Sequence, residues 1–213
     1  MKKKKIVIID YGIGNIESMS NAIYKIGHSP TISSTRKDIL EADSVILPGV
    51  GAFKKGMENL IKNDIISSIF DFIKLGKPFL GVCLVMQMLL DESEEFGNTL
   101  GLGLIKGKVV KFPKFETSKE KIPHIGWNKI TEPKINIWKE TILNNIEQNN
   151  DLYFVHSFIA VPENIENILS KSSYAGIEFC STIRSENIYG TQFHPEKSSK
   201  TGLTILNNFV NLK

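Results

Sequence analysis

Short apolar runs alternate with helical periodicities through the N-terminal half of the chain. Ile6-Val7-Ile8-Ile9 is apolar at every position, and Ile16, Met19, Ile23 and Ile26 then fall on one helical face. A second run, Ser44-Val45-Ile46-Leu47, leads into the turn Pro48-Gly49-Val50-Gly51; helical material is expected from about 54 to 75, and 77–81 reads as another buried strand. This βα rhythm predicts an α/β fold with a parallel sheet, whose sites lie at the carboxyl ends of its strands. The turn at 48–51 and Cys83 both fall at such ends, so they can be neighbours in space.

The second half has a different texture. Residues 101–107 are turn-rich, 111–121 are polar and charged, and extended segments recur at about 152–158, 177–183 and 187–193. A more antiparallel region is expected there. The chain closes on an amphipathic helix over 200–212, carrying Leu203, Leu206, Phe209 and Val210, and no internal repeat or low-complexity linker interrupts it.

With 213 residues, 41% of them hydrophobic, the chain can bury one large core, and a single domain over 1–213 is expected. The net charge of +3 is too small to argue for nucleic acid, and the basic run Lys2 to Lys5 reads as a solvated tail. Ile6 to Ile9 is too short for the apolar core of a signal peptide, and no segment reaches the length of a membrane-spanning helix, so a cytoplasmic protein is expected. Two cysteines, Cys83 and Cys180, make no disulfide framework, and a reducing compartment keeps Cys83 a thiol.

Gly81-Val82-Cys83-Leu84-Val85-Met86 follows the apolar run 77–80, and His194-Pro195-Glu196 lies more than a hundred residues downstream. A strand that turns sharply into a helix exposes the side chain at the turn and sets a thiolate against the positive end of the helix dipole. In an extended segment His194 and Glu196 point to the same face across Pro195, so the ring can take the thiol proton while the carboxylate orients it. The plainer readings are a core thiol at Cys83 and a turn with a surface histidine at His194; pairing the two favours catalysis. Cys180 reads as a small buried hydrophobe.

Acyl transfer needs backbone N–H groups aimed at an oxyanion, and Gly49 and Gly51 permit such a turn, which is otherwise an ordinary strand-to-helix connection. Gly12-Ile13-Gly14 resembles a dinucleotide fingerprint, but Glu17 stands where a third small residue belongs, and nicotinamide binding is rejected. Asp91, Glu92, Glu94 and Glu95 read by default as a solvated face, although a substrate with an α-ammonium group would need one carboxylate near the nucleophile. His124, His156 and His194 lie near extended segments without metal-ligand spacing, and His28 reads as a surface residue. Neither a metal nor a cofactor is expected.

These stretches together resemble the class I (triad) glutamine amidotransferases, and within them the glutaminase subunits of imidazole glycerol phosphate synthases. The resemblance covers nearly the whole chain and rests on 10–15 (Asp-Tyr-Gly-Ile-Gly-Asn), 47–53 (Leu-Pro-Gly-Val-Gly-Ala-Phe), 81–87 (Gly-Val-Cys-Leu-Val-Met-Gln), 123–128 (Pro-His-Ile-Gly-Trp-Asn), 153–157 (Tyr-Phe-Val-His-Ser) and 190–198 (Gly-Thr-Gln-Phe-His-Pro-Glu-Lys-Ser). It implies a flavodoxin-like, mostly parallel central sheet flanked by helices with a more antiparallel C-terminal part. It also implies a glutaminase with Cys83 as nucleophile, His194 as proton shuttle and Glu196 as its orienting acid. By the family pattern the oxyanion is met by N–H groups of Leu84 and the Val50–Gly51 segment, and Gln87, Glu95, His156, Ser157 and Phe158 hold L-glutamine. Asn15, Trp127, Tyr153 and Lys197 are implied to lie towards a synthase partner, normally a (β/α)8 cyclase that forms a heterodimer with the glutaminase, receives its ammonia and makes the imidazole ring of histidine. The family usually has glycine two residues after the nucleophile, where this chain has Val85. A paralogue feeding ammonia to a sugar-amidating synthase would share every catalytic residue, and an inactive scaffold subunit is the rival from another class.

Overall fold

The computed structural model of the protein describes residues 4–113 and 121–212. The polar stretch expected over 111–121 therefore falls largely outside the described residues. In chain order the elements are β1 (Ile6–Ile9), α1 (Ile16–Lys25), β2 (Thr31–Ser33), α2 (Arg36–Glu41), β3 (Ser44–Gly49), α3 (Phe53–Lys62), α4 (Ile66–Lys74), β4 (Phe79–Cys83), α5 (Leu84–Met88), β5 (Glu92–Ser93), β6 (Thr99–Leu100) and β7 (Gly107–Lys111). There follow β8 (His124–Lys129), β9 (Asp151–His156), β10 (Phe158–Pro162), β11 (Ile168–Tyr174), β12 (Ile177–Ser185), β13 (Ile188–Thr191) and α6 (Ser199–Val210), with a short 3-10 turn at Pro195–Lys197 before α6.

Eleven strands form one sheet in the order β2-β1-β3-β4-β13-β12-β10-β7-β5-β6, with β11 paired to β12. The strands from β2 to β13 run parallel, the sheet turns antiparallel from β13 through β12 and β10 to β7, and β5 joins β7 in parallel before the antiparallel pair β5–β6. The fold is thus α/β, with a parallel half flanked by helices and an antiparallel C-terminal half. The segment 187–193, expected in the more antiparallel region, forms β13, which pairs antiparallel with β12 on one side and parallel with β4 on the other, and the second pairing brings the residues after Thr191 to the carboxyl end of β4.

Alternation along buried strands splits the core in two. Ile6, Ile8, Ile46, Leu80 and Val82 face α1 and α6 through Met19, Ile23, Leu206 and Phe209. Val7, Ile9, Val45, Leu47 and Phe79 face α2 to α5 through Ile39, Leu60, Ile69, Phe72 and Val85. Both faces are covered, so β1 and β3 carry apolar side chains without alternation.

The helix expected across 54–75 is broken. Asp64 takes φ 53, its N–H reaches the Ile61 carbonyl, and the Ile65 N–H reaches that of Leu60, closing α3 with buried Ile65 against buried Leu60. The element pair β2 and α2 was not expected. β2 is largely exposed, and α2 starts on Thr35, whose hydroxyl accepts from the Asp38 N–H. The described end of the basic run is no free tail: Lys4 Nζ donates to the Val210 and Leu212 carbonyls, and Lys5 Nζ pairs with Asp38 and Glu41 at 3.1 and 3.0 Å.

Val85 is fully buried. A Cβ added at Gly49 would sit 2.8 Å from its Cγ2, and one added at Gly81 would sit 2.9 Å from its Cγ1. The missing side chains of two neighbouring strands are what accommodate this valine.

Candidate active site

Cys83 is the last residue of β4 and the residue before α5, with φ 55 and ψ −106. A side chain at such a backbone costs on the order of 1–3 kcal/mol and is held there by its surroundings. In register with it, Gly49 ends β3, so the turn through Val50 and Gly51 lies beside the thiol. Thr191 pairs with Val82, which brings Gln192 and His194 to the same place.

The imidazole of His194 bonds through Nδ1 to Glu196 Oε1 at 2.8 Å, and both side chains are only 1% exposed. Nε2 of His194 makes no hydrogen bond of full geometry among the described residues, although the Cys83 thiol is close enough to act on the ring. Burial disfavours the charged ring, but the Cys83 thiol and the Glu196 carboxylate outweigh it and hold the His194 pKa up at about 10. The arrangement is competent to shuttle a proton between a thiol and a leaving group, with the carboxylate fixing the ring.

These groups open on a cavity of about 230 Å³. That is below the roughly 300–1,000 Å³ of drug-sized sites, and fits a small ligand. Val50, Gly51, Leu84, Gln87 and Glu95 line one side of it, and Val155, His156, Ser157 and Phe158 line the other. A larger cleft of about 770 Å³ lies elsewhere, lined by residues such as Pro78, Tyr189 and Asn208, and contains neither the thiol nor the histidine.

The acidic group after α5 is not merely solvated. Asp91 accepts from Lys106 and the Gly107 N–H, Glu94 from the Lys111 N–H, and Glu95 from the Phe53 N–H at the start of α3 while it lines the cavity.

Several contributors escaped the sequence. Gln192 donates from Nε2 to Cys83 Sγ at 3.8 Å and accepts from Gln87 Nε2 at 2.9 Å; Gln87 donates as well to the Phe158 carbonyl at 3.0 Å. His156 bonds through Nδ1 to that same carbonyl at 2.9 Å and through Nε2 to His124 Nδ1 at 3.0 Å. The carbonyl must accept, so His156 carries its proton on Nδ1 and accepts from His124. Burial, opposed by the Phe158 carbonyl and reinforced by His124 and His194, holds the His156 pKa down at about 3. Ser198 ties the histidine loop to β9: its hydroxyl donates to the His194 carbonyl at 2.6 Å and accepts from the Tyr153 N–H at 2.9 Å, while the Tyr153 carbonyl accepts from the His194 N–H. Gln192 and Ser198 both lie inside the 190–198 motif, which was the available signal.

Of the four residues expected to face a partner, three are gathered. Trp127 is 53% exposed on β8 and meets the Tyr153 ring at 6.0 Å; Lys197 Nζ stands 6.0 Å over the same ring, which is itself 6.5 Å from His194. Asn15 precedes α1, its carbonyl accepting from the Met19 N–H, and α1 packs against the Pro195–Lys197 turn. No described contact joins Asn15 to the other three.

Comparison with known proteins gives the family. The chain is 45% identical over 210 residues to "Imidazole glycerol phosphate synthase subunit HisH 1" of Legionella pneumophila (strain Lens), covering 97% of this chain and 99% of that one. It is 41% identical to the HisH subunit of Geobacter sulfurreducens, covering 98% and 99%. Among solved structures, a glutamine amidotransferase superposes with TM-score 0.72 at 13% identity over 97% of both chains, and PurLQS from Thermotoga maritima with TM-score 0.71 at 18% identity over 98% of both, which is a likeness of fold. The family model "Glutamine amidotransferase class-I" matches residues 7–212, and the chain belongs to that family.

Proposed function

We propose that this chain is the glutaminase subunit of an imidazole glycerol phosphate synthase, hydrolysing L-glutamine to glutamate and ammonia for a cyclase partner in histidine biosynthesis. The observation that carries the chemistry is the buried Glu196–His194 pair set against Cys83 on its strained turn. His194 takes the thiol proton, and the thiolate attacks the side-chain carboxamide carbon of glutamine. Charge on the carbonyl oxygen is met by the Leu84 N–H and the Val50–Gly51 backbone, as the tetrahedral centre forms. His194 then returns the proton to the leaving amine, ammonia departs, and a glutamyl thioester remains. Water, deprotonated by His194, attacks the thioester; glutamate leaves and the thiol is restored.

Glu95 balances the ammonium group of glutamine, and Gln87, His156, Ser157 and Phe158 shape the opposite wall. The apolar, aromatic surface at Trp127 and Tyr153, with Ile125 59% exposed beside it on β8, suits a (β/α)8 cyclase surface that closes over His194. The chain works as one domain in the cytoplasm, where reducing conditions keep the thiol free; no helix among the described residues is long and apolar enough to cross a membrane.

The test is glutamate release by the chain with its cyclase, and imidazole glycerol phosphate synthesis from glutamine or from ammonium salts. Cys83→Ala is expected to abolish the glutamine-dependent reactions and to leave ammonium-dependent synthesis intact. Glutamate release by Cys83→Ala near the wild-type rate would overturn the assignment.

A further inference from the structure

Tyr11 is 1% exposed, and among the described residues its hydroxyl has no hydrogen-bond partner. A buried hydroxyl left unpaired costs roughly 1–3 kcal/mol, so its retention calls for a use. Its place suggests one. The loop after β1 forms the floor under the turn that follows β3: a Cβ at Gly14 would meet the Pro48 carbonyl oxygen at 2.7 Å, and a Cβ at Gly49 would meet the Tyr11 hydroxyl at 2.6 Å. Asn59 Nδ2 donates to the Tyr11 carbonyl at 3.1 Å and Asp10 Oδ1 accepts from the Gly12 N–H at 3.0 Å, so the loop is anchored on both sides of the ring's backbone.

We infer that Tyr11 is a positioning residue whose hydroxyl hydrogen-bonds the Gly49 carbonyl when the Val50 N–H turns to the oxyanion. The inference rests on the glutaminase reading given above. In a planar trans peptide the N–H and C=O point in opposite directions. When the Gly49–Val50 peptide aims its Val50 N–H into the cavity, its Gly49 oxygen is driven away from the cavity into the protein. A carbonyl buried there without a donor would oppose that orientation. The Tyr11 hydroxyl is a donor already packed against Gly49, and it needs no new side chain to arrive. Burial, with the charge of Cys83 second, pushes the pKa of Tyr11 up, which keeps the proton on the oxygen and available to donate. Gly49 is required for this approach, because any side chain there would occupy the space of the hydroxyl.

The test is Tyr11→Phe in the complex with the cyclase, measuring kcat and KM for glutamate release, melting temperature, and the rate of Cys83 alkylation by iodoacetamide. We expect kcat to fall about tenfold or more, equivalent to about 1.4 kcal/mol of transition-state stabilisation. KM should stay within twofold, alkylation should be unchanged because the thiol and its base are untouched, and the melting temperature should hold or rise as an unpaired polar group is removed. A kcat within twofold of wild type overturns the inference. So does a kcat loss that travels with a melting temperature lowered by several degrees, which would make Tyr11 a packing residue. Wild-type chain that releases no glutamate with its partner, or Cys83→Ala that still does, would instead sink the glutaminase reading and this one with it.

Discussion

Neutral His156 makes acid stability a sharp test of the hydrogen-bond chain behind the cavity. In the unfolded chain its pKa is about 6.5, and in the folded protein it is held at about 3. A depressed histidine pKa means that the unfolded state binds protons first, so stability is full above 6.5 and is lost as the pH falls. A unit and a half of pH at 1.36 kcal/mol per unit is about 2 kcal/mol lost between pH 6.5 and 5. The stability His194 gains from its raised pKa is lost as pH rises towards 10 and is complete below 6.5, and Asp38, held down at about 2, gives up its share only below its ordinary 3.8. His156→Asn keeps an N–H where Nδ1 donates to Phe158 and removes the titrating ring. Urea midpoints of both proteins should be taken from pH 6.5 to 5. Wild type should lose about 2 kcal/mol and the variant much less, whatever its starting stability. Equal slopes would show that His156 is not buried neutral, and the chain from His124 to Phe158 would have to be redrawn.

Glu196→Gln leaves a partner for the ring but removes the charge that helps raise the His194 pKa, so glutamate release should fall on the order of 10²-fold. Its alkaline limit should also move to lower pH, because the thiolate–imidazolium pair loses its proton sooner; an unmoved limit in a pH profile up to 10 would refute the role. Val85→Gly removes a fully buried side chain and should cost about 2 kcal/mol or more, read as a lower urea midpoint, with partner-stimulated glutaminase rate within a few-fold. A gain in rate by orders of magnitude would show instead that the valine impairs the site.

The parallel half of the fold was legible because burial on both faces writes itself as unbroken apolar runs at 6–9 and 44–47. The pair β2 and α2 was not, because β2 is largely exposed, with Ile32 itself 49% accessible, and α2 hangs on hydroxyl and carboxylate bonds among Ser33, Thr35 and Asp38. The end of α3 was written in Asn63 and Asp64, a pair tolerant of a left-handed turn, but helical periodicity on either side hid it. One extended reading over 152–158 became two strands in two different sheets. β9 pairs with β8, Ser157 gives its carbonyl to the Phe112 N–H, and β10 joins the main sheet beside β7 and β12.

That exchange of sheets also explains which site residues a sequence yields. Cys83, His194 and Glu196 declare themselves by residue type and by the local geometry of a turn and a triplet. Gln192, Ser198, His124 and Tyr11 acquire roles only from what the fold sets beside them. Gln192 is one more polar residue until the parallel pairing of β13 with β4 delivers its amide to Cys83. His124 is one more histidine in a strand until β8 pairs with β9 and sets it opposite His156. Along β9 the even residues Leu152, Phe154 and His156 are buried, while Tyr153 and Val155 are part-exposed beside Trp127 and Ile125. The same strand therefore leaves Tyr153 and Val155 part-exposed and gives the Val155 carbonyl to the Cys83 thiol and the Tyr153 carbonyl to the His194 backbone. A polar residue of ordinary type becomes part of a site through register, and register is a property of two strands that no single stretch of sequence contains.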